Sequence, residues 1–152
     1  MWDRPYVPRV RSRDVVPVAG ETFLAGLAPG TQLRVLSRDP GNGALTAIWE
    51  IPPRWVHERP FSLAGGEALF VLDGDFSKGS CHYGRGHYAY RAGGTPQGFM
   101  ESVRGARLLM MWDAAPRLLP AGSIPLAPGE SLEWVDGNAV DEMPTPVEGP
   151  PA

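Results

Sequence analysis

Cysteine is almost missing from this chain. Cys81 is the only one in 152 residues, so no internal disulfide can form and a reducing, cytoplasmic setting is expected. Lysine is just as scarce. Thirteen arginines stand against one lysine, which reads as a GC-rich genome bias without functional content. There is no basic block either, and the net charge is -3, so neither nucleic acid nor a membrane surface is an expected partner. No apolar run approaches the ~20 residues of a membrane span. No apolar segment follows the charges of Met1-Trp2-Asp3-Arg4-Pro5, so no secretory leader is expected. Sustained 3.6-residue periodicity is absent as well, which argues against long helices.

Glycine (19) and proline (17) are abundant, while the 43% apolar and 20% charged fractions are ordinary for one globular domain. Turn residues between short apolar runs predict an all-β chain. Residues 1–27 read as an N-terminal arm, packed across the domain or on a partner, with a short strand at Thr22–Leu27. Residues 28–135 read as the folded domain, and 136–152 as a loose Pro/Gly-rich tail. Inside the domain, strands are expected at Thr31–Ser37, Ala44–Ile51, Glu67–Leu72, Ser80–Tyr83, His87–Arg91, Gln97–Val103, Ala106–Trp112 and Ser131–Val135. Residues 54–66 should be irregular, and 113–129 a Pro-rich connection with little secondary structure. Asp73-Gly74-Asp75 reads as the turn that ends the Glu67 strand.

Glu67 is the residue that draws the eye. It opens an apolar strand whose alternate members, Leu69 and Val71, should face the interior. A carboxylate there is costly unless it is paired or used; a solvated position or a salt bridge to Arg91 or Arg107 is the alternative. Gln97, Phe99 and Glu101 alternate and should share one face. His57 lies ten residues before Glu67 and reads first as a surface-loop histidine, although a longer loop could swing it inward. His82 and His87 read as solvated or structural groups, and Cys81 as an inert buried thiol. Trp49, Trp55, Phe99 and Trp112 supply apolar surface for a pocket.

Two segments carry a family resemblance. Glu67 and Gly74 match the final E-x6-G of the first cupin motif, which usually runs G-x5-H-x-H-x3-4-E-x6-G. Gly86 opens the second, and Ala92-Gly93-Gly94-Thr95-Pro96-Gln97 lies over its P-x-G-x2-H. With Leu36–Pro40, Gly43–Thr46 and Ile51-Pro52-Pro53, residues 30–113 resemble the cupin superfamily, in particular its ChrR-like single-domain members. The resemblance implies a jelly-roll-like β-barrel around a small-molecule pocket, and pairing through N-terminal strands, so that residues 1–27 would be the contact of a homodimer. The family's paired histidines fall at Pro60 and Ser62, or at Phe61 and Leu63, and its third at Gln97. Of the usual ligands only Glu67 remains, so the metal motifs are degenerate.

The expected function is therefore binding of a small, largely apolar organic molecule. Acid–base chemistry of isomerase, cyclase or dehydratase type would use Glu67, with His57 or Glu101 as the second proton-transfer group. Gln97, Phe99, Trp49, Trp55 and Trp112 would hold the substrate. No cofactor is firmly implied. One alternative is an iron, zinc or manganese dioxygenase acting on a diketone or hydroxyacetophenone, with ligands rebuilt from Glu67, His57 and Gln97. Another is a non-catalytic ligand sensor or accessory cupin.

Overall fold

The computed structural model describes residues 4–120. Among them the only helical segments are two single 3-10 turns, Ser12–Asp14 and Gly20–Thr22. The strands are β1 (Val18–Ala19), β2 (Gln32–Arg38), β3 (Leu45–Ile51), β4 (Trp55–His57), β5 (Phe61–Leu63), β6 (Glu67–Lys78), β7 (Cys81–Gly84), β8 (Tyr88–Arg91), β9 (Met100–Ser102), β10 (Ala106–Trp112) and β11 (Leu118–Pro120). The main sheet is antiparallel and runs β1-β2-β3-β10-β6-β9-β4, with β7 and β8 also paired to β6; β5 and β11 form a separate ribbon.

Alternation places the core. On β10, Ala106, Leu108, Met110 and Trp112 are buried, and they sit opposite Ile51, Trp49, Ala47 and Leu45 of β3. Each fully buried large apolar side chain of this kind contributes about 1.5–3 kcal/mol. Trp49 is wedged edge-on between Trp55 and Phe76, each ring centroid 5.5 Å away. The aromatic side chains fill the interior and set its shape.

β6 decides where the site lies, and it departs from expectation. Asp73-Gly74-Asp75 does not end the strand. β6 runs on for twelve residues, pairing with β10 and β8 in its first half and with β7 and β9 in its second. The register against β10 jumps from Val71↔Leu108 to Asp73↔Arg107, so Leu72 is an extra residue, a β-bulge. Before it Glu67, Leu69 and Val71 are buried; after it the parity flips, and Phe76 and Lys78 are buried. Gly74 adopts φ +84°, and a Cβ there would stand 2.0 Å from the Gly105 carbonyl oxygen. Only glycine fits where β6 crosses so closely over the β9–β10 turn.

Other expectations are corrected in the same way. The strand expected at Thr22–Leu27 is instead the end of the 3-10 turn Gly20–Thr22 followed by turns and bends, because amides fold back onto the Gly20 and Leu24 carbonyls. Residues 54–66 are not wholly irregular, since β4 and β5 lie within them, and β11 lies in the Pro-rich connection. The predicted strand at Ser131–Val135 and the tail at 136–152 fall outside the described residues.

Candidate active site

Glu67 is placed by the turn before it and the strands beside it. The Gly66 amide donates to Asp113 Oδ1 at 2.7 Å, and the Asp113 amide donates to the Gly66 carbonyl at 3.2 Å. This clamp fixes the start of β6 against the end of β10. Glu67 then lies between Trp112 on β10 and Arg91 on β8 in register. Trp112 Nε1–H donates to Glu67 Oε2 at 2.9 Å. Lys78 Nζ donates to Glu67 Oε1 as a buried salt bridge, its side chain 1% exposed and that of Glu67 6%.

Eleven residues separate these partners on one strand. A straight strand would hold their Cα atoms ~36 Å apart, far beyond side-chain reach. The bulged, curling path of β6 brings its two ends together. Lys78 Nζ also lies 5.7 Å from the Phe61 ring centroid and 6.0 Å from that of Phe76. Burial pulls the Lys78 amine below its ordinary value; the Glu67 charge opposes this, and the Arg91 charge adds to it. Lys78 is the chain's one lysine, and its position was missed in the sequence. Its rarity was the available signal, masked by the arginine bias and by the apparent turn before it.

The remaining predicted residues divide between the interior and the surface. Gln97 is 2% exposed and exchanges backbone hydrogen bonds with Phe61, so its side chain shares the face of Phe61; its Oε1 meets no hydrogen-bond partner. Phe99, expected on that face, is 43% exposed, and Glu101 pairs opposite the exposed Val56. The irregular backbone at 98–99 shifts the parity, and Met100 and Ser102 turn inward instead. Trp49 and Trp55 are core residues. Trp55 Nε1–H donates to the Pro29 carbonyl at 3.1 Å. His82 Nδ1 is hydrogen-bonded to Ser77 Oγ at 2.6 Å, and His87 Nδ1 accepts the Gly84 amide at 2.8 Å. Cys81, expected to be buried, is a half-buried free thiol.

His57 is buried, stacked near Trp55 and edge-on to Phe61, and its Nδ1 accepts the Ala28 amide at 3.0 Å. Burial and, secondarily, the Arg59 charge hold its pKa below 6.5. Protonation at Nδ1 would forfeit the Ala28 bond. The unfolded chain therefore binds this proton at higher pH than the folded one, and stability should fall as pH drops below about 6.5. Asp75 adds to the acid side at lower pH. Burial raises its pKa, but the Val103 and Arg104 amides and the Arg104 charge together bring it below 3.8. Urea midpoints at pH 7 and pH 5 should differ for the native chain, and His57→Asn should shrink that difference.

His57 also lines a cavity of about 410 Å³ with Arg59, Pro60, Phe61, Leu118 and Leu119. Phe61, which lines this cavity, also has its ring centroid 5.7 Å from the Lys78 ammonium.

A divalent ion of the kind held by the fold family needs about three or more imidazole or carboxylate donors. Among the described residues no three His, Cys, Asp or Glu side chains converge on one point. Both Glu67 oxygens are engaged, and His57 Nδ1 is committed to Ala28. The residues present do not fit such an ion.

A curled antiparallel barrel with an inward E-x6-G strand has the cupin fold. No family model matches the chain, and no curated protein matches it. Solved structures do. A proposed dioxygenase from Nostoc punctiforme superposes with a TM-score of 0.68 at 18% identity, over 84% of this chain and 49% of its own; the chain thus spans about half its length. An acetylacetone dioxygenase from Acinetobacter johnsonii gives 0.55 at 18% identity, covering 71% and 72%. The polyketide cyclase RemF from Streptomyces resistomycificus gives 0.58 at 18% identity, covering 91% and 95%.

Proposed function

We propose that this cupin acts on a small organic molecule by acid–base catalysis at Glu67, with Lys78 as its protein-supplied counter-cation. The observation that carries this reading is the buried Glu67 carboxylate, held on one oxygen by Lys78 and on the other by Trp112. Such a carboxylate is oriented and shielded from water. Moving a substrate carbonyl beside Lys78 weakens the Glu67 ion pair and frees the carboxylate to take a proton from the carbon α to that carbonyl. The ammonium then stabilises the enolate oxygen, and its lowered pKa suits it to return a proton. Gln97, with its unpartnered Oε1, can accept a substrate hydroxyl. The apolar cavity lined by Phe61 suits the hydrocarbon body. Isomerisation, cyclisation and dehydration all begin with this proton transfer, and the likeness in fold to a polyketide cyclase supports that class.

The test is α-deuteration of a panel of aryl ketones in D₂O, followed by proton NMR. The native protein should accelerate exchange, and Glu67→Gln should lose ~10²–10⁴-fold of that acceleration. No acceleration across the panel, or equal rates in the two proteins, would overturn the proposal. Dialysis against EDTA should change neither Tm nor exchange rate. Stoichiometric iron, zinc or manganese that is lost in Glu67→Gln would instead establish a metal centre.

A further inference from the structure

The polar interior holds more positive than negative charge. Glu67 pairs in register with Arg91, Phe76 with Tyr83, and Lys78 with Cys81, so the side chains of Arg91, Tyr83 and Cys81 share the inward face with the Glu67–Lys78 pair. The Arg91 charge acts on both Lys78 and Tyr83. Arg91 makes no salt bridge among the described residues, and its Nε is buried without a hydrogen-bond partner. The Tyr83 hydroxyl is buried without a well-formed hydrogen bond, although Cys81 and Arg91 lie near it. Two cations thus face one carboxylate, with the Arg91 Nε unpaired and the Tyr83 hydroxyl held only loosely by Cys81 and Arg91. A buried donor left unpaired is costly, and a half-buried cation without a partner attracts an anion.

We infer that this cluster is a recognition site for a small organic monoanion, an aromatic or alicyclic carboxylate, whose oxygens are bound by Arg91 and Tyr83. The inference rests on the acid–base reading above and names its substrate class. A carboxylate supplies two acceptors for these two donors, and charge-assisted bonds to a guanidinium are the stronger kind. One negative charge balances the excess; a phosphate dianion would overshoot it. The Phe61 and Phe76 rings beside Lys78 favour a hydrocarbon body. Arg91 and Cys81 are half-buried, so the cluster reaches the surface from their side.

Benzoate is the probe, benzamide its neutral counterpart, and tryptophan fluorescence the readout, since Trp112 bonds to Glu67 directly. Benzoate should bind saturably and at least ~10-fold more tightly than benzamide. Arg91→Gln should weaken benzoate by a similar factor and leave benzamide unchanged. Tyr83→Phe, a near-isosteric change, should weaken benzoate several-fold and serves if Arg91→Gln does not fold. Glu67→Gln should tighten benzoate, because it removes the competing carboxylate. Equal affinity for benzoate and benzamide, or weaker benzoate binding in Glu67→Gln, would overturn the inference. Neither result bears on deuterium exchange, so the two readings fail separately.

Discussion

Replacing Lys78 with methionine is expected to lower the unfolding free energy by about 3–5 kcal/mol. The substitution keeps most of the side-chain volume but leaves the Glu67 carboxylate buried with its charge uncompensated, the most damaging way to break a buried pair. For a domain of this size that is a fall in Tm of roughly 6–20 °C. Adding Glu67→Gln to Lys78→Met should restore much of the loss, because Trp112 Nε1–H can bond to the amide oxygen and no buried charge remains. A double-mutant cycle by urea denaturation measures this coupling. If Lys78→Met unfolds with the native midpoint, the pair does not hold the interior together.

Gly74→Ala should cost at least about 3 kcal/mol, since it combines an unfavourable positive φ with a collision against the neighbouring turn. Gly86→Ala is the control. Gly86 has φ +87° but open space around its Cβ direction, so only the conformational penalty of about 1–2 kcal/mol applies. The difference between the two isolates steric crossing from backbone preference. Gly74→Ala has a second expected effect. Any slip at the crossing moves the second half of β6 relative to the first and separates Lys78 from Glu67. Proton-exchange activity should therefore fall even where the variant remains folded, whereas Gly86→Ala should keep it. Comparable losses in both variants would show that the crossing contributes nothing beyond glycine's backbone freedom.

The barrel was legible because its signals are local. Turn residues bracket β3 and β10, and alternation along β10 gives its buried face directly. Glu67 was legible too, as a carboxylate in phase with Leu69 and Val71. Its partner was not. Asp73-Gly74-Asp75 has the composition of a turn, and no local pattern distinguishes a turn from a bulged strand that continues across it. The bulge at Leu72 also reverses which residues face inward, so alternation counted through it assigns Lys78 to the wrong side. The same limit explains Phe99 and Glu101, which lie beyond an irregular step after Gln97. Arg91 and Tyr83 reach the interior through pairings with β6 that are long-range and carry no sequence signature.

The solitary lysine has a practical consequence. A protease that cuts only after lysine has a single target in this sequence, the bond from Lys78 to Gly79. That bond closes β6, and its lysine side chain is sealed in the interior. Cleavage must wait for this strand end to open, so one clean two-fragment cut becomes a clock for that opening. An amine-specific reagent offers the same measurement by mass, since modification at Lys78 reports how often the ion pair comes apart.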